Sequence, residues 1–152
     1  MSTVIRNIDW LVGWQGTTGQ HVYLRNADLA FEDGTITGLG KALGGAFDEE
    51  IDGRGRLVIP GLVNVHTHPT SETMRKGVTD ETLSPGFWHS SLYEHLPVFN
   101  PVDDEGRMAS LKVALAELLL SGVTTVIDLS APFDGWLDAL AESGLRAVAA
   151  PF

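Results

Sequence analysis

The chain has 152 residues, 43% hydrophobic and 20% charged, which is the composition of one globular domain or a small domain plus part of another and not of a disordered chain. Twenty acidic against ten basic residues leave a net charge of −10, so no nucleic acid and no anionic membrane is expected as a partner, since both need clustered cations. No apolar run approaches the ~18 residues of a membrane span, MSTVIRNIDW at the start holds no apolar export core, and the absence of cysteine excludes a disulfide scaffold, thiolate metal sites and a Cys nucleophile, a pattern that fits a cytoplasmic protein.

The first part, residues 1–57, reads as short strands joined by turns. Val4–Trp14 is apolar-rich, with Ile8, Trp10 and Val12 on one parity, and His21–Phe31 carries Val22, Tyr23, Leu24, Leu29 and Phe31. Asp33-Gly34 between Phe31 and Ile36 is a strong hairpin signal. Asp52-Gly53 and Gly55 mark another turn, so this part is expected to be a small antiparallel β unit. The character changes at Leu57. Leu57–His68 reads as a strand with a Pro-Gly break near its start, and Pro69–Pro101 as a long loop. Asp103–Ser121 predicts an amphipathic helix, capped by Asp103 or Asp104 and ended by Gly122, with Met108, Leu111, Leu115, Leu118 and Leu119 on its core face. Val123–Leu129 predicts a buried strand, Gly135–Ser143 a second helix, and Leu145–Ala150 a third strand. Alternating strands and helices imply a parallel sheet with helices outside it.

The chemistry-bearing residues are His66 and His68. Residues two apart diverge on a helix but share a face on a strand. Leu62, Asn64, His66 and His68 therefore lie on one face, while Val63, Val65 and Thr67 lie on the other and can pack against helices. The histidine face turns polar toward the strand's C-terminal end, where α/β barrels and open parallel sheets place their sites. Two neutral imidazoles aimed at one point suit a divalent metal, zinc foremost. The alternative is a strand pair satisfied by ordinary hydrogen bonds.

Val58–His68, VIPGLVNVHTH, resembles the first-strand signature of the amidohydrolase superfamily of metal-dependent hydrolases: Pro-Gly, an apolar pair, Asn, then His-x-His. The Gly-rich segment before it resembles the small sandwich domain flanking those barrels, and ELLLSG followed by VTTVIDLS resembles their first helix and second strand. The resemblance implies an α/β fold: the first strands and helices of a (β/α)8 TIM-type barrel over 58–152, preceded by a small β-sandwich portion over 1–57. It also implies His66 and His68 as metal ligands, with the metal activating water and polarising the substrate. The family's further ligands come from later strands and cannot be placed here. Only 84 residues follow His68, whereas a full barrel takes roughly 250, so three strands at most are expected and the barrel is incomplete. The chain is then a fragment, a truncated product, or one part of a split enzyme whose complementary polypeptide completes the barrel, an oligomer that is inactive as this chain alone.

SSLYEHLPVF and DLSAPFDGWLDALAESGLRAVAAP resemble members that hydrolyse amides, phenylureas and thiocarbamates. The leading expectation is hydrolysis of a C–N bond in such a small molecule. Ring deamination is the alternative within the superfamily, and a non-catalytic structural subunit or plain metal-binding module the alternative outside it. Trp88, His89 and Tyr93, in the long loop after the histidine strand, are candidate substrate contacts, because such loops line barrel sites. Asp128, near the end of the next strand, is a candidate for orienting a metal ligand; otherwise it is a strand-end carboxylate bonded to backbone amides.

Overall fold

The computed structural model describes residues 1–76, 100–101 and 103–151. It divides into two compact units, Met1–Pro60 and Gly61–Phe152.

The first unit is a five-stranded sheet. β1 (Ser2–Gln15) pairs antiparallel with β2 (Gln20–Glu32), and β2 with β3 (Thr35–Gly40). β4 (Glu49–Asp52) and β5 (Leu57–Val58) both add to β1 in parallel. The sheet is therefore mixed rather than antiparallel. The two-residue connection at Asp33-Gly34 forms as expected, with φ of 48° and 77°, the left-handed pair that matches the twist of a hairpin. Ile8, Leu11, Ala27 and Leu29 make the buried core. Of Ile8, Trp10 and Val12, expected on one parity, Ile8 is buried while Trp10 is 46% exposed. The Arg25 guanidinium stacks over its ring at 4.4 Å from the directly opposite position on β2, so that side of the hairpin faces solvent.

Leu57–His68 is not one strand. Leu57 and Val58 pair with Trp10 and Leu11 and belong to the first unit. Pro60, which has no N–H to donate, and Gly61 interrupt the chain before β6 (Leu62–Thr67). The division thus falls three residues beyond the expected boundary at 57.

The second unit carries β6, β7 (Val123–Asp128) and β8 (Arg146–Ala149) in a parallel sheet of order β6-β7-β8. This is the open beginning of an α/β barrel. The expected loop opens with a short helix instead, α1 (Pro69–Arg75), because Pro at the first helical position fixes φ where no N–H is needed; residues 77–99 lie outside the described part. α2 (Asp104–Leu120) follows, and the Asp103 carboxylate accepts from Gly106 N at 2.8 Å, as its N-cap position requires. α3 (Trp136–Glu142) links β7 to β8. Leu111, Leu115, Val123, Val126, Trp136, Ala139, Leu140 and Leu145 form the core, each fully buried large apolar side chain contributing about 2 kcal/mol. Met108 and Leu118 pack against it, but Leu119 is 43% exposed, since it falls one residue beyond the buried stripe. Val63 and Val65, expected under helices, are 60% and 65% exposed, because α2 and α3 bury β7 and no β6 residue enters this core. No helix of the described residues is long and apolar enough to cross a membrane.

Candidate metal centre

β6 is positioned by close backbone approach to β7. A Cβ on Gly61 would overlap Thr124 Oγ1 and Cγ2, so glycine alone fits where the two strands start. Leu62 N then donates to Gly122 O at 2.9 Å. Further along, Asn64 faces Val126 and Thr67 faces Asp128, so β6 advances three residues while β7 advances two. This is a β-bulge at Val65–His66, the kind of irregularity that re-aims side chains at sites.

Beyond the bulge the two histidines converge. His66 Nε2 and His68 Nε2 are 3.3 Å apart, with ring planes at 64°. Two nitrogens held 2.0–2.1 Å from one tetrahedral ion stand about 3.3–3.4 Å apart, so the spacing is that of two ligands on one zinc-sized ion. Without an ion, one ring N–H donates to the other ring's lone pair. The two imidazoles lie at the C-terminal end of β6, the end where barrels carry their sites.

The surroundings are polar and ordered. His66 N donates to Asn64 Oδ1 at 3.0 Å. Glu72 Oε1 accepts from Thr67 Oγ1 at 2.7 Å and from His68 N at 2.8 Å. Thr67 itself is fully buried. Glu72 escaped sequence reading, although an acid four residues after the helix-capping His68 resembles the reciprocal arm of a capping box. α1 is tied down by Ser110 Oγ donating to Pro69 O at 3.1 Å, by Thr73 Oγ1 donating to Ser110 O at 3.3 Å, and by an ion pair between Lys76 and Glu117.

Asp128 is buried at the end of β7. Its oxygens accept from Ser130 N and from Trp136 Nε1, both at 2.8 Å, and Thr70 Oγ1 donates to Ser130 Oγ at 3.1 Å. Asp128 therefore ties β7 to α3, and Ser130 beside it bonds α1. Trp88, His89 and Tyr93 lie outside the described residues. Among the described residues, no group of three or more His, Asp or Glu forms a complete metal cluster.

The sequence profile of the amidohydrolase family matches residues 57–152. The chain belongs to the amidohydrolase family. The resemblance read from Val58–His68 is borne out. The chain is 34% identical over 125 residues to a 5'-deoxyadenosine deaminase of Methanosarcina acetivorans, covering 82% of this chain and 28% of that protein. It is 30% identical over 135 residues to a 5-methylthioadenosine/S-adenosylhomocysteine deaminase of Syntrophomonas wolfei, covering 88% and 30%. Among solved structures it resembles the atrazine chlorohydrolase TrzN of Arthrobacter aurescens TC1 complexed with zinc, with TM-score 0.64 and 26% identity over 98% of this chain and 35% of that one. This amidohydrolase chain thus spans about a third of the length of its relatives.

Proposed function

We propose that the chain is the opening segment of a metal-dependent hydrolase that adds water to a ring carbon of a nitrogen heterocycle and releases its exocyclic amine. In that reaction water forms a C–O bond, the C–N bond breaks, and the ring keeps a carbonyl while ammonia leaves. The observation that carries the reading is the 3.3 Å spacing of His66 Nε2 and His68 Nε2, held at a strand end in a family-matched segment. His66 and His68 would hold a divalent ion, and zinc is supported by the zinc complex of TrzN. A bound ion of this kind acidifies water and polarises the carbon under attack. The chain's own residues supply the chelating pair, and the bonds of Thr67 and Glu72 fix the turn between strand and helix.

The relatives' names favour ring deamination over the amide, urea or carbamate chemistry that the sequence alone put first, because the named activities are deaminations of purine nucleosides. A 6-aminopurine nucleoside is the substrate class this reading selects. Trp88, His89 and Tyr93 would contact it, and a complementary polypeptide would bring the remaining ligands.

The test uses the chain together with any polypeptide that co-purifies. Zinc content is measured with both histidines intact and in the His66→Ala/His68→Ala variant, and ammonia release is followed from 5'-deoxyadenosine beside amine release from a phenylurea. The expected result is zinc lost in the double variant and ammonia from the nucleoside only. Undiminished zinc overturns the metal site, and turnover of the phenylurea alone overturns the deaminase assignment.

A further inference from the structure

His66 sits where the β6–β7 ladder is interrupted, and His68 just past the end of β6, at the start of α1. The register runs from Asn64 opposite Val126 to Thr67 opposite Asp128, so Val65 and His66 share the single residue Ile127 on β7 and the regular ladder is broken at His66. An interrupted ladder leaves backbone free to rotate, and a small rotation at either histidine would swing its ring nitrogen by more than a metal bond tolerates. Yet both histidine N–H groups are held, in each case by a side chain. Asn64 Oδ1 takes His66 N at 3.0 Å, closing a short loop on its own strand. Glu72 Oε1 takes His68 N at 2.8 Å from one turn into α1. The same Glu72 oxygen takes Thr67 Oγ1 at 2.7 Å, and Thr67 is fully buried, so the carboxylate is anchored to the residue between the two ligands.

We infer that Asn64 and Glu72 are positioning residues for the metal pair: Asn64 holds the backbone of His66 inside the bulge, Glu72 holds that of His68 just past the strand end, and together they preset the separation of the two ring nitrogens before any ion arrives. This rests on the metal reading above. Preset ligands lose less freedom on binding, so the consequence falls on metal affinity rather than on fold. Partners that hold metal ligands from behind commonly change affinity by about 10–100-fold when removed. Glutamine at position 72 keeps a carbonyl oxygen that accepts the same two bonds, whereas alanine keeps none.

The experiment is a Co2+ titration of the chain together with any polypeptide that co-purifies, read by the visible absorption of the bound ion, whose intensity and position report ligand geometry. Wild type, Asn64→Ala, Glu72→Ala, Glu72→Gln and His66→Ala/His68→Ala are compared, with far-ultraviolet circular dichroism of each. The expected result is a loss of about tenfold or more in Co2+ affinity for Asn64→Ala and Glu72→Ala, an altered cobalt spectrum, unchanged helical signal, and Glu72→Gln within about threefold of wild type. Should Glu72→Ala fail to fold, Asn64→Ala and Glu72→Gln still decide the matter, since the first removes a clamp on the exposed strand and the second keeps the bonds without the charge. Wild-type affinity and spectrum in the alanine variants, with binding lost in the histidine double variant, overturn the positioning role and leave the metal site standing. Glu72→Gln as weak as Glu72→Ala also overturns it. Wild-type binding in the histidine double variant overturns the metal site itself.

Discussion

Asp28 holds the first unit's irregular corner. It is buried and receives Asn7 N, Leu43 N and the Arg6 guanidinium, each at 3.0 Å. Asn7 has a φ of 56° at the bulge in β1, so this carboxylate also stabilises a left-handed backbone. Burial pushes the Asp28 carboxyl up; the bonds from Asn7 N–H, Arg6 and Leu43 N–H together outweigh burial and hold it below the ordinary Asp value. A carboxyl depressed in the folded state adds stability above its unfolded value, and that stability is lost as pH falls through the folded value. Asp28→Asn is therefore expected to cost roughly 2 kcal/mol near neutrality. The gap from wild type in urea melts should stay constant down to about pH 5 and shrink below about pH 4. A gap independent of pH down to acid unfolding would show that the charge has no part in it. None of this was legible in the sequence, because the partners lie 15 to 22 positions away. His66 and His68 were legible, because their relation is local: two residues apart on one strand is geometry that the sequence states directly.

Elements whose signals are local follow the sequence closely, and those that depend on neighbours do not. α2 begins and ends within one residue of expectation, since Asp103 and Gly122 mark its ends. Replacing Asp103 by Ala removes the acceptor of Gly106 N and is expected to cost about 1 kcal/mol. Asp103→Ser, which can accept the same bond, should recover most of it; equal losses in thermal melts of the two variants would show that the cap bond is not the source. α1 was missed because its seven residues are too few for a hydrophobic period to register, and its hold on α2 runs through polar bonds to Ser110 and Glu117. Trp10 and Val63 show the opposite failure. Strand parity says which residues share a face, but not which face has a partner. The Asp128 carboxylate likewise reads from sequence as a support for a metal ligand or as a strand-end acid, and its bond to Trp136 depends on how α3 folds back.

At the scale of the whole chain, family and barrel beginning were legible in eleven residues from Val58 to His68, while substrate class was not, since it is set by loops and strands outside that motif. The parallel sheet is open. Among the described residues β6 and β8 each pair with β7 alone, and Val63, Val65 and Val148 are exposed. Parallel sheets occur almost only with both faces covered, and unpaired edges invite association with another chain. The chemistry points the same way. Catalytic zinc sites take three protein ligands, and the described residues bring together no such cluster. TrzN, of which this chain spans 35%, shows how much more polypeptide a relative of this fold employs. Further strands and ligands, on the same polypeptide or on another, would meet both needs at once, covering the valines of β6 while completing an ion's shell. The expected outcome is activity only where these residues are joined to, or docked with, the polypeptide that carries the remaining strands and ligands. The 152-residue chain alone should aggregate or melt without cooperativity, and should release no ammonia from 5'-deoxyadenosine. A monodisperse, cooperatively melting and active monomer of this chain would show that it needs no complement.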